Sequence, residues 1–173
     1  ALQYVKLLKD GSFAGTFFRV RPSKKTPITF REMTFMDKIL LHSCCAPCSV
    51  YCVDTLRADG IEPTSLWFNP NIHPWTEYDA RRRTLLEYGE KEHVEVHILE
   101  DYGLRDFVRA VSADIDHRCA HCYTIRLGTA AKYAADHGYD AFTSSLLISP
   151  YQNHELLKAV GETMGKKYGV EFY

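Results

Sequence analysis

A doubly wound α/β domain with a parallel sheet is the fold that this 173-residue sequence predicts. Two observations carry it. Short apolar, strand-like runs alternate with longer stretches of helical period, and glycine, proline or asparagine stands at most of the junctions. Strands and helices alternating at this spacing imply a parallel sheet covered on both faces. In such sheets the ligand site lies beyond the carboxyl ends of the strands, where strand order reverses.

The elements follow in order. Residues 22–27, which contain two prolines and two lysines, read as a linker. Strand-like residues resume at 38–42 around Ile39, Leu40 and Leu41. The chain is therefore expected to divide into a basic N-terminal extension, residues 1–36, and one α/β domain, residues 37–173. In residues 49–58, Val50, Val53 and Leu56 recur at helical spacing, and Asp59-Gly60 closes that helix. Residues 64–68 read as a second strand ending in the turn Asn69-Pro70-Asn71. Thr76 and Asp79 then suggest a capping box for a helix reaching about His93. Val94, Val96 and Ile98 alternate as a third strand, and Leu104, Phe107, Val108 and Val111 mark one face of a helix. A helix over 120–137 stopped by Gly138, a strand over 140–145, and a helix from the cap Asn153 to Tyr168 ended by Gly169 complete the series, with residues 170–173 extended.

With 46% hydrophobic and 25% charged residues, the chain can bury one sizeable core. Its apolar runs last only a few residues, far short of the roughly 20 that a bilayer span needs, so no membrane segment is expected. Residues 1–9 carry no apolar stretch followed by a small-residue cleavage site. A cytoplasmic home with reduced thiols follows. There, six cysteines are better explained as metal ligands or redox groups than as structural staples. Net charge is −1, but residues 1–36 hold seven lysines and arginines against Asp10 and Glu32. Such an arm could lie along phosphates or simply stay solvated.

All six cysteines fall in two groups: Cys44, Cys45, Cys48 and Cys52, then Cys119 and Cys122. Each group contains a C-x-x-C pair. At a loop-to-helix junction such a pair turns both sulfurs to one side, and helix N-terminal amides favour the thiolate. A zinc ribbon joins its pairs by about 15 to 20 residues, whereas here two whole strand-helix units intervene, so the pairs can meet only through the tertiary fold. Four thiolates are the usual complement of a four-iron cluster. Adjacent Cys44 and Cys45 can share one site only if the chain turns sharply, which Ala46-Pro47 favours. Cys52, one helical turn beyond Cys48, reads as a core residue. The radical-SAM spacing C-x-x-x-C-x-x-C is absent. Thiol exchange through Cys45-Ala46-Pro47-Cys48 is a competing reading that leaves Cys119 and Cys122 idle.

The run 39–48, the stretch 69–74, Glu77-Tyr78 with Arg81-Arg82-Arg83, the run 118–122 and the stretch 142–150 together resemble the QueH-type epoxyqueuosine reductases over residues 38–173. The resemblance implies a single domain of the adenine nucleotide α-hydrolase-like, or HUP-like, fold. It also implies a four-iron (4Fe-4S) cluster at Cys44, Cys45, Cys119 and Cys122, and reduction of epoxyqueuosine to queuosine at the wobble position of tRNA. Some members carry Asp where Cys48 stands, next to the cluster, where an additional iron could bind. Members usually continue into a segment with a further cysteine pair, whereas this sequence ends at Tyr173.

Reducing an epoxide to an alkene requires two electrons, two protons and a Lewis acid for the departing oxygen, and iron can serve as electron carrier and Lewis acid. The candidate catalytic residues are Cys48, His73, Tyr78 and His121, with His42 and Tyr123 as further proton donors. Arg81, Arg82 and Arg83 are candidate RNA contacts or a solvated helix face. Phe68, Trp75 and Tyr78 could stack an unpaired base or belong to the core. ATP chemistry is disfavoured, because residues 42–47 lack the glycines of a phosphate loop and thiolates would repel a pyrophosphate. Expected partners are the modified tRNA and an electron donor that the sequence does not identify. The alternatives are a zinc-stabilised tRNA-binding module and a thiol-disulfide oxidoreductase.

Overall fold

A computed structural model describes residues 38–173. The basic extension, residues 1–36, and its proposed phosphate contacts lie outside the described residues. Five parallel strands form one sheet in the order β3-β2-β1-β4-β5, with β1 (Ile39–His42), β2 (Thr64–Trp67), β3 (Val96–Ile98), β4 (Ala141–Ser144) and β5 (Glu171–Phe172). Helices α1 (Ala46–Ala58), α2 (Trp75–Glu92), α3 (Leu104–Val111), α4 (Arg118–Asp136) and α5 (His154–Tyr168) connect them, with a 3-10 turn at Ser145–Ile148. This is the doubly wound α/β fold that the alternation predicts. Strand order reverses between β1 and β4, which pair in register from Ile39 opposite Ala141 to His42 opposite Ser144.

β1 shows why both faces must be covered. Its four side chains are fully buried and alternate between faces. Leu40 joins Leu66 and Phe142 under α4 and α5, where Leu127, Ala130, Ala131, Ala134 and Leu157 pack. Ile39 and Leu41 turn the other way, onto Leu56 and Val53 of α1. Each such aliphatic side chain contributes roughly 1.5–3 kcal/mol by leaving water.

Where the elements depart from expectation, the reasons are local. Helix α1 starts at Ala46, directly after the second cysteine, with Pro47 in its first turn. Its buried stripe is Ser49, Val53 and Leu56, with Val50 exposed, and Ser49 tolerates burial because its hydroxyl donates to the carbonyl of Cys45 at 2.9 Å. The capping box at Thr76 and Asp79 does not form. α2 begins at Trp75 behind Pro74 with no side-chain cap, and Asp79 pairs instead with Arg82 and Arg83. The α3 stripe is buried only at Val111, with Leu104 and Val108 exposed. Asn153 caps α5 as expected, its Oδ1 accepting from the amide of Leu156 at 3.0 Å, and Gly169 ends that helix at φ 71°. Among the described residues, no helix is long and apolar enough to cross a membrane.

Candidate metal centre

β1 delivers its cysteines to the point where strand order reverses. After His42, the amide of Ser43 donates to the carbonyl of Leu66 at 2.9 Å, and the amide of Cys44 donates to the hydroxyl of Ser145 at 3.0 Å. Cys44 is thereby fastened to the residue that follows β4. Cys45 is extended (φ −175°, ψ 165°), and the helix begins one residue later, so the chain turns as sharply as two adjacent thiols on one site require. Cys44 Sγ and Cys45 Sγ lie 3.8 Å apart, and the sulfurs of Cys44, Cys45 and Cys48 all lie within 4.8 Å of one another. All six cysteines are free thiols.

The three thiols share their protons unequally. Hydrogen bonding from Cys45 foremost, with the Ser145 hydroxyl at 3.4 Å and the Arg126 charge, outweighs burial and lowers Cys44 to about 5. Cys45 is pushed up, chiefly because its hydrogen bond to Cys44 favours the protonated form. Cys48 is pushed up by burial and by the Cys44 charge. A thiolate at Cys44 flanked by two thiols is the arrangement a thiophilic metal meets on arrival. The 3.8 Å separation is roughly that of two thiolates sharing a tetrahedral ion at metal–sulfur bonds of about 2.3 Å. The donor set therefore fits a soft metal.

Cys119 and Cys122 occupy the first turns of α4, apart from that compact triad. Cys122 is buried and its thiol is pushed up by desolvation, against the pull of Arg126. Arg126 stands one turn further along α4, 5% exposed, and its charge is felt by Cys44 and Cys122 alike. Its Nη2 donates to Asn69 Oδ1 at 2.7 Å, and Nε faces His42 Nε2 at 3.4 Å. Asn69 Nδ2 in turn donates to the carbonyl of Ser43 at 3.0 Å, and the Ser65 hydroxyl donates to that of Ser43 at 2.6 Å. His42 Nδ1 lies 2.9 Å from Ser144 Oγ, and its Nε2 lies 3.2 Å from the carbonyl of Phe68. Burial first, then the Arg126 charge, lowers His42 to about 3, so the ring is neutral and acts as a strut. This buried polar frame holds the backbone that carries Cys44.

Four residues of the frame, Arg126, Asn69, Ser144 and Ser145, were not singled out from the sequence for these roles. One signal was available for Arg126: a charge four residues after Cys122, on the helix face that also carries Tyr123, Leu127 and Ala130 toward the core.

The other candidates are placed as follows. Tyr78 is 2% exposed and its hydroxyl accepts from the amide of Asp101 at 3.3 Å, within a cluster that includes Trp67, Trp75 and Tyr102. His73 packs against Tyr102 and Phe107, and burial lowers its pKa. His121 borders a cavity of about 60 Å³ together with Asn71, Asp101 and Phe107. Arg81 pairs with Glu77 at 2.6 Å and lies within Coulombic reach of Cys45 and Cys44. Arg82 bridges Asp79 and Glu100, and Arg83 pairs with Asp79. All three arginines are thus tied to carboxylates. Cys52 packs with Leu41, Val53 and Val94, and burial pushes its thiol up to about 11, as suits a core residue.

Comparison with known proteins gives this geometry a family. The chain is 38% identical over 135 residues to an epoxyqueuosine reductase QueH of Dehalococcoides mccartyi, covering 78% of this chain and 74% of that protein. A Haemophilus influenzae protein of the same description is 34% identical over 163 residues, covering 90% and 66%. One from Acinetobacter baylyi is 38% identical over 137 residues, covering 76% and 62%. The chain therefore spans between about three fifths and three quarters of the length of these relatives. A solved structure described as a predicted subunit of tRNA methyltransferase from Methanocaldococcus jannaschii matches with a TM-score of 0.53 at 15% identity, over 80% of this chain and 67% of that one, which shows a shared fold. Residues 39–173 match the model of the family described as epoxyqueuosine reductase QueH, and with these identities the chain belongs to that family.

Proposed function

We propose that this chain reduces epoxyqueuosine to queuosine in the tRNA anticodon, the last step of queuosine biosynthesis, in the cytoplasm, with a four-iron cluster at Cys44, Cys45, Cys119 and Cys122 and electrons from a separate donor. The observation that carries this reading is that one member of each cysteine group, Cys44 at the point where strand order reverses and Cys122 one turn before Arg126 on α4, lies within Coulombic reach of that buried cation. When bound, an iron–sulfur group would supply single electrons and a Lewis acid. The net change opens an epoxide to an alkene and releases its oxygen as water, consuming two electrons and two protons.

The chain's own residues would do the rest. Cys48, in the compact triad, is a fifth thiol beyond the four that a cluster takes and is available to an adjacent iron. His121 would serve as proton donor, because it borders the cavity and stands one residue before Cys122 on α4. Tyr78, with its hydroxyl already engaged, and His73, packed between two rings, would shape the cavity wall.

Among the three aromatics considered for base stacking, Phe68 and Tyr78 are buried, whereas Trp75 is 53% exposed. Its indole is held by stacking on Tyr78 at 5.5 Å and by an edge contact with Tyr102 at 5.3 Å. A rigid exposed indole at the amino end of α2, two turns from Arg81, suits an unpaired anticodon base. Trp75→Leu is expected to weaken binding of an anticodon stem-loop RNA roughly 5- to 150-fold, the equivalent of about 1–3 kcal/mol of stacking. Quenching of tryptophan fluorescence or a filter-binding titration measures it, and unchanged affinity would remove Trp75 from the interface.

The second reading, a zinc-stabilised tRNA-binding module, is favoured by one observation, the 3.8 Å separation of the Cys44 and Cys45 sulfurs. Anaerobic reconstitution decides between them. The reductase reading expects a brown absorption band with iron and sulfide in near-equal amounts, whereas a colourless protein that takes up one zinc and excludes iron contradicts it.

A further inference from the structure

A guanidinium buried without a carboxylate needs another anion nearby. Arg126 is 5% exposed, and among the described residues its partners are neutral: the amide oxygen of Asn69 and the ring nitrogen of His42. Taking a unit charge out of water costs several kcal/mol unless an opposite charge is within reach. Arg126 stands one helical turn after Cys122 on α4, and Asn69, which accepts from it at 2.7 Å, donates to the carbonyl of Ser43, the residue before Cys44. Cys44 and Cys122, one from each cysteine group, favour its charge, while Arg81 opposes it. Desolvation is the largest influence and works against the charge. The two cysteine groups are far apart in sequence and belong to different elements, yet each has a member within Coulombic reach of this one cation.

We propose that Arg126 is the fixed counter-cation of the metal group that spans the two cysteine groups, a positioning residue that makes its reduced form easier to reach. The inference rests on the reading that an iron–sulfur group binds here. Each thiolate brings a negative charge, and reduction adds another. A cation held in a low-dielectric site stabilises the reduced, more negative state over the oxidised one. Asn69 and His42 fix the guanidinium without neutralising it, so its charge remains available to the cysteines. An acidic partner in place of Asn69 would cancel that effect.

The test is a redox titration of reconstituted wild-type, Arg126→Met and Arg126→Lys proteins, followed by visible absorption, with folding checked by circular dichroism. The Met variant is expected to titrate at a more negative potential than wild type, and the Lys variant, which keeps the charge but not the fork of donors, close to wild type. A Met variant that no longer takes up iron beside a Lys variant that does would equally support the counter-charge role. Equal potentials in all three proteins overturn the proposal. So does a Lys variant that shifts or fails to load as the Met variant does, because geometry and not charge would then be decisive. If wild type itself takes up no iron, the cofactor reading fails first and separately.

Discussion

Alanine at Cys119 or at Cys122 is expected to abolish assembly of the iron–sulfur group, with iron and sulfide falling to background. Four thiolates are needed, and no other thiol among the described residues stands on α4 to replace the one removed. Cys44→Ala should have the same result, since it deletes the thiolate that Ser145 and Cys45 hold in place. Cys52→Ala provides the contrast. Its thiol packs with Leu41 and Val53, so that variant should keep its iron and lose only a modest amount of stability through a small cavity. Full iron and sulfide in the Cys119 and Cys122 variants would confine the site to the Cys44–Cys45–Cys48 triad.

Asn69→Ala is expected to destabilise the fold strongly although it removes no apolar core side chain. The side chain is fully buried and serves two partners, accepting from Arg126 and donating to the carbonyl of Ser43. Removing it strips a buried cation of its shortest hydrogen bond and leaves a backbone carbonyl unpaired beside Cys44. A hydrogen bond to a charged group contributes about 1.5–3 kcal/mol, and an unsatisfied buried acceptor costs about 1–3 kcal/mol, so a loss of roughly 3 kcal/mol is expected. Urea denaturation of metal-free protein at neutral pH measures it. A loss below about 0.5 kcal/mol, the level of an ordinary surface substitution, would show that the frame does not hold the cysteine loop.

Much of this architecture was legible in the sequence because it is repetitive and local. β1 reads as a strand from Ile39, Leu40 and Leu41, and α5 from Asn153 at one end and Gly169 at the other, since a cap and a left-handed stop act within a few residues. The Cys44–Cys45 turn was legible for the same reason: Pro47 in the first turn of α1 fixes where the helix starts. The capping box at Thr76 failed because Asp79 had stronger competitors in two arginines one turn away. The buried frame could not be read at all. Arg126, Asn69, His42 and Ser144 come from four different elements, and only the 3-2-1-4-5 strand order brings them together. The arginines at 81–83 stand out in sequence as a free cationic run, yet each has a carboxylate within 3.2 Å. Charge runs report what a helix carries, and folding decides what is left for a ligand.

Turnover tests the reductase function most directly. Protein reconstituted anaerobically with iron and sulfide is given tRNA bearing epoxyqueuosine and a strong reductant, and the nucleosides released by digestion are weighed by mass spectrometry. Loss of one oxygen mass from the modified nucleoside is expected with metal-loaded wild-type protein, and none with the Cys119→Ala variant. An intact epoxide after incubation with fully iron-loaded protein that binds the tRNA would contradict that function.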